Sequence, residues 1–143
     1  MTELTREQIT AALQDGWGTY VERFGRLSPE AQAAFLAGQG YARFADLLGH
    51  VVAWWEEGLR AIPALLNDPN FGSPDYDVDA FNARAVERFR SLSEPSVIQA
   101  FEAARRAWLA LVAGLPDDAW QDQMIADRLH IELIGHLEEH MIP

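Results

Sequence analysis

Three of the four histidines in this 143-residue chain, His130, His136 and His140, fall within its last fourteen residues, and His50 lies apart from them in an apolar stretch. His136 and His140 are four apart, which on a helix places both rings on one face with Cβ atoms about 6 Å apart, as two ligands of one metal require. Spacing alone is weak evidence, and the face they occupy says more. Ile125, Leu129, Leu133, His136 and His140 follow at intervals of four, four, three and four, so both histidines continue the stripe that buries apolar side chains. Interior imidazoles need partners for both ring nitrogens, and two in adjacent turns are costly to protonate in a low dielectric. A shared divalent cation resolves both problems. The negative end of the helix at His140 also favours a cation, although the same field raises the histidine pKa.

His50 shares a helical face with Leu47, Val51 and Trp54, within Leu47-Leu48-Gly49-His50-Val51-Val52-Ala53-Trp54-Trp55, and Gly49 beside it admits a close neighbouring helix. If its helix lies next to the last one, His50 completes a three-histidine site with His136 and His140, leaving positions open for water or substrate. Trp54, one turn on, would wall the pocket. Glu57, two turns on, could act as a base or hold a water, and Asn82 could orient substrate. Each has a plainer reading: a hydrogen-bonded core histidine, a packed tryptophan, a solvated carboxylate, a helix-end amide. His130 is six residues before His136, about 120° off its face, and reads as structural or exposed. Glu138 and Glu139 read as solvated.

The composition narrows the chemistry. Cysteine is absent, which removes disulfides, thiolate catalysis and cysteine-ligated metal, so any metal must be held by His, Asp or Glu. Asp and Glu outnumber Lys and Arg by 22 to 11, for a net charge of -11, which disfavours nucleic acid and anionic membrane surfaces as partners. The first residues lack a signal-peptide pattern and no apolar run reaches the ~20 residues of a membrane span, so a cytoplasmic protein is expected. No Gly-rich phosphate loop, nucleophile elbow or dinucleotide fingerprint occurs.

The elements that must position these residues are helices. Ile9, Leu13, Trp17, Tyr20, Val21 and Phe24 recur every three or four residues, predicting a helix capped by Thr5 and stopped at Gly25. Ser28-Pro29-Glu30 opens a short connecting helix to Leu36, ended by Gly38 and Gly40. A segment from Phe44 to Leu66 is apolar nearly all round, so it is buried on several sides or packs on another subunit, with a kink or early end at Pro63. Asn67 to Asp75 reads as a loop. A third region opens near Asp79, breaks between Ser91 and Pro95, and resumes from Ser93 to Gly114, and a fourth starts near Pro116-Asp117-Asp118. No window alternates as a strand does. The fold expected is an all-α four-helix bundle, one domain over residues 1–143.

The segment around His50, then Asp79-Ala80-Phe81-Asn82, then Gly135-His136-Leu137-Glu138-Glu139-His140, resembles the DinB-like, or DinB/YfiT, superfamily of bacterial four-helix bundles over nearly the whole chain. The ending and the Phe-Asn opening of the third helix look closest to the branch containing the colibactin self-resistance protein. The resemblance implies a divalent metal, nickel, zinc or iron, on His50, His136 and His140, and a homodimer. It implies thiol-dependent transfer or isomerisation, or, in the self-resistance branch, hydrolysis of a strained electrophile without a required metal. Three functions are therefore carried forward. One is a metal-dependent hydrolase or thiol transferase acting on a small molecule, with a low-molecular-weight thiol as partner. The others are a metal-free hydrolase using the histidines as acid and base, and a non-catalytic metal- or ligand-binding stress protein.

Overall fold

The computed structural model describes residues 3–68, 70–71 and 75–143, and among them there is no strand. Pro69 and Gly72 to Pro74, within the expected loop, lie outside the described residues. The all-α expectation is met. No helix among the described residues is long and apolar enough to cross a membrane.

The first helical stretch starts where expected. The Thr5 side chain accepts from the Gln8 N–H at 3.1 Å, while the Gln8 side chain accepts from the Thr5 N–H at 2.9 Å, a reciprocal cap on α1 (Arg6–Ala11). It is not one regular helix, however. A π turn (Ala12–Gly16) and a 3-10 turn (Trp17–Thr19) separate α1 from α2 (Tyr20–Arg26). Gly25 lies inside α2 rather than ending it; the chain leaves the helix at Leu27, already extended ahead of Ser28 and Pro29. Ser28 caps α3 (Pro29–Gln39), which passes through Gly38 and ends at Gly40, whose φ of 83° is the left-handed conformation that glycine adopts freely.

The longest helix, α4 (Phe44–Asn67), continues through Pro63. Proline removes one donor from the ladder, and the burial of Ala61 and Ile62 just before it holds the helix on course. Asp77 caps α5 (Val78–Phe89) and Ser93 caps α6 (Glu94–Gly114), with Pro95 in the first turn. The last segment starts later than expected. Asp117–Gln121 form a 3-10 turn, and Asp122 caps α7 (Gln123–His130) by accepting from the Met124 and Ile125 N–H groups. A second π turn (Ile131–Gly135) leads into α8 (His136–Glu139).

Helix α4 is the centre of the molecule, packing on α6, α5, α7 and the second π turn. Every residue from Leu47 to Trp55 is buried, so its all-round apolarity is accounted for by its own chain. Gly49 makes this possible on one side: a Cβ there would come within 2.7 Å of the Phe89 ring of α5. Trp55 meets Trp17 edge-on at 4.9 Å and stacks on Phe101 at 5.2 Å, joining α4, the first stretch and α6 in one aromatic core.

Candidate functional site

His50 of α4, His136 of α8 and His140 immediately after α8 are all buried, at 8%, 9% and 4% exposure. Their ring centres are 5.6 Å apart for His50 and His136, 5.1 Å for His50 and His140, and 5.7 Å for His136 and His140. The three histidines singled out by periodicity and resemblance thus meet at one place. His130 is exposed at the end of α7.

The second π turn sets the phase of the last two rings, and indoles from two other elements hold it. Trp17 Nε1 donates to the Leu133 carbonyl at 2.9 Å and Trp55 Nε1 donates to the Glu132 carbonyl at 3.0 Å. Both carbonyls are those of the turn itself, so the aromatic core reaches the histidines through the backbone. The two π turns also pack against each other, and Gly16, in the first, leaves room for the Leu137 side chain of α8, into which a Cβ would run.

Beyond α8 the chain is held by Tyr20, whose hydroxyl donates to the His140 carbonyl at 2.7 Å. The His140 ring is oriented by Gln39, the last residue of α3. The Gln39 amide nitrogen donates to the Glu139 carbonyl at 3.3 Å, and its Oε1 lies 2.7 Å from His140 Nδ1. With the amide fixed in that sense, Nδ1 is the protonated nitrogen and Nε2 carries the lone pair. The connecting helix, with no buried residue of its own, therefore supplies a contact that periodicity could not reveal.

Burial pushes the imidazoles well below the ordinary value of 6.5. His136 falls to about 3, through burial first and then the neighbouring His50, His140 and Arg128. His50 falls to about 4 through burial and then His140, against the opposing influence of Glu139 and Asn82. His140 falls to about 4 through burial alone. All three are neutral near pH 7, and His50 Nδ1, His136 Nδ1 and His140 Nε2 are buried with no hydrogen-bond partner among the described residues. Unpaired polar atoms at this depth are uncommon and costly.

Beside the histidines, Trp54 stacks on Phe81 at 4.0 Å, meets Tyr76 edge-on at 5.3 Å, and donates from Nε1 to Asn82 Oδ1 at 2.8 Å. Trp54 and Asn82 are therefore joined to each other. Glu57 is engaged elsewhere: Arg60 binds its carboxylate and Tyr76 donates to it at 2.8 Å, and these contacts, Arg60 foremost, hold its pKa below the usual carboxylate range against the opposing effect of burial. Tyr76 in turn accepts from Arg128 Nη1 at 3.0 Å. Glu132, only 2% exposed, is pushed up by burial to about 8. Sequence reasoning missed Gln39, Tyr76, Arg128 and Glu132. Of these only Glu132 carried a signal, four residues before His136 on the buried stripe.

In its chemistry the histidine cluster fits a divalent ion, offering three neutral imidazoles with unpaired buried nitrogens. Among the described residues, however, no group of three or more His, Cys, Asp or Glu is placed so that it could hold a metal ion. A family model described as the DinB superfamily matches residues 12–141. No curated protein and no solved structure matches the chain. The chain belongs to the DinB superfamily.

Proposed function

We propose that this member of the DinB superfamily, taken as one domain over residues 1–143, is a divalent-metal-dependent enzyme acting on a small, electrophilic molecule. His50, His136 and His140 would hold the ion, of nickel, zinc or iron type. The superfamily includes metal-dependent enzymes. The observation that carries the reading in this chain is the set of three convergent, buried, neutral imidazoles, each with an unpaired ring nitrogen. Depressed basicity suits ligands, because the lone pairs stay free of protons at neutral pH. It suits general acids poorly, since a group with a pKa of about 3 or 4 holds almost no proton to give. That weighs against a metal-free acid–base hydrolase.

An ion held there supplies Lewis acidity toward a polar group of the substrate or of a co-reactant. The chain's own residues do the rest. Gln39 fixes the His140 tautomer so that Nε2 is available, the outer contact that gives a ligating imidazole its direction. Trp54, Phe81 and Tyr76 form an aromatic wall that keeps water from one side, and the Asn82 amide is oriented by Trp54. The reaction is hydrolysis or thiol-dependent transfer; with no cysteine in the chain, a thiol must enter as a small co-reactant. The same reading takes the protein as a cytoplasmic homodimer.

The test is elemental analysis of protein purified without a polyhistidine tag, followed by turnover of a panel of small epoxides and activated alkenes with and without added thiol. Stoichiometric metal and metal-dependent turnover, both lost in His136→Ala, support the reading. Turnover that survives chelation in a folded His136→Ala variant rejects it.

A further inference from the structure

Helices α4 and α5 meet closely where the Phe89 ring packs over Gly49. Four residues from that contact on each helix, Ala53 and Ala85 line a groove whose cavity measures about 380 Å³, within the range of small-ligand sites. Both alanines are buried, so they form an apolar floor and neither fills the space above it.

The charge of this groove runs against that of the molecule. The chain carries a net charge of -11, and two other surface cavities are acidic. One is lined by Glu3 and Asp127 without an arginine, the other by Glu7 and Asp15 with Arg6. The α4–α5 groove sets Arg60, Arg84 and Arg88 against Glu56 and Glu57. Both carboxylates are already engaged. Arg88 binds Glu56 through two hydrogen bonds, at 2.7 and 3.1 Å, and Arg60 binds both oxygens of Glu57, to which Tyr76 also donates.

Arg84 is left over. Eight of the chain's eleven arginines are ion-paired, whereas Arg84 has no carboxylate within 4.0 Å among the described residues. Glu87, three residues on along α5, is taken by Arg90 at 2.9 Å. The Arg84 guanidinium lies over the Phe81 ring, 5.9 Å from its centroid, an attraction that keeps the cation beside the groove. Its planar fork matches a carboxylate. An apolar floor, an aromatic wall at Phe81 and one uncompensated fork call for a flat apolar body that carries one acid group.

We propose that the groove between α4 and α5 binds a small aromatic carboxylate, with the acid on Arg84 and the ring over Ala53 and Ala85. The histidines take no part, so this site stands apart from the proposed function. Phe81 is common to both, because it also stacks on Trp54 at 4.0 Å.

Benzoate is the probe, with benzamide as its uncharged counterpart, and NMR titration of the whole chain reads the result. Benzoate should shift the Ala53 and Ala85 methyl resonances and the Arg84 Nε–H resonance saturably, and benzamide should not. Arg84 is exposed, so Arg84→Gln leaves the fold intact and should weaken binding about tenfold. His136→Ala should bind benzoate as the wild type does, so a failure of the histidine reading leaves this result standing. The proposal is overturned if benzoate gives no saturable shift, if benzamide or Arg84→Gln matches benzoate on the wild type, or if the shifts gather at the histidines and disappear in His136→Ala.

Discussion

The orientation of His140 depends on a single amide. Gln39 spends its nitrogen on the Glu139 carbonyl and so presents oxygen to Nδ1, which leaves Nε2 as the free lone pair. Replacing Gln39 by Leu, of similar size, removes the acceptor without opening much space. Long-range 1H–15N spectra should then show the Nε2–H tautomer appearing at His140, and divalent-metal affinity should fall about 10- to 100-fold, with little loss of stability. An unchanged tautomer would show that Gln39 does not control the ring. Position 39 could not be found from sequence, because it belongs to a helix with no buried face and its role depends on a contact 101 residues away. The histidines could be found because His136 and His140 lie on the buried stripe of their own segment.

At the scale of elements, the helix starts at Thr5, Ser28 and Ser93 were readable because capping is local chemistry. The interruptions were not. Both π turns preserve apolar spacing, so the stripe through Leu133, His136 and His140 looks regular while the backbone beneath it is not. What sustains the second turn is a pair of indole donors from distant segments. Trp17→Phe keeps the ring in the core and leaves the Leu133 carbonyl without its partner. Chemical denaturation should show a loss of about 1–3 kcal/mol, and metal affinity should fall as the phase of His136 loosens. Gly49→Ala introduces a methyl into the Phe89 ring at 2.7 Å. Overpacking of about 1–3 kcal/mol should outweigh the gain of up to about 1 kcal/mol in helix propensity, and a stabilised variant would contradict the packing described.

For the whole molecule, pH sets two opposed tendencies in the metal-free protein. The histidines have folded pKa values of about 4, 3 and 4 against an ordinary 6.5. Below pH 6.5 the unfolded chain therefore takes up protons that the folded one refuses, and stability falls on acidification. Glu132 acts oppositely: its folded pKa is raised from 4.5 to about 8, so the stability it contributes is present below 4.5 and is lost as pH rises through 8. Between 4.5 and 6.5 three groups outweigh one; between 6.5 and 8 Glu132 acts without them, at no more than about 1.4 kcal/mol per pH unit. Urea denaturation should give a maximum near pH 6.5, and Glu132→Gln should flatten the alkaline side. A wild-type curve that keeps rising to pH 8 would contradict the buried, protonated Glu132.

In the proposed function, His50, His136 and His140 together hold one divalent ion. Calorimetric titration of tag-free, chelator-treated protein with zinc, nickel and iron(II) tests it most directly, run beside His50→Ala, His136→Ala and His140→Ala variants shown to be folded. One ion per chain is expected for at least one of these metals, with proton release close to zero at pH 7.5 because the ligands are already neutral, and loss of that site in each variant. Binding that survives in all three variants, or no binding of any of the three metals to the wild type, would contradict it.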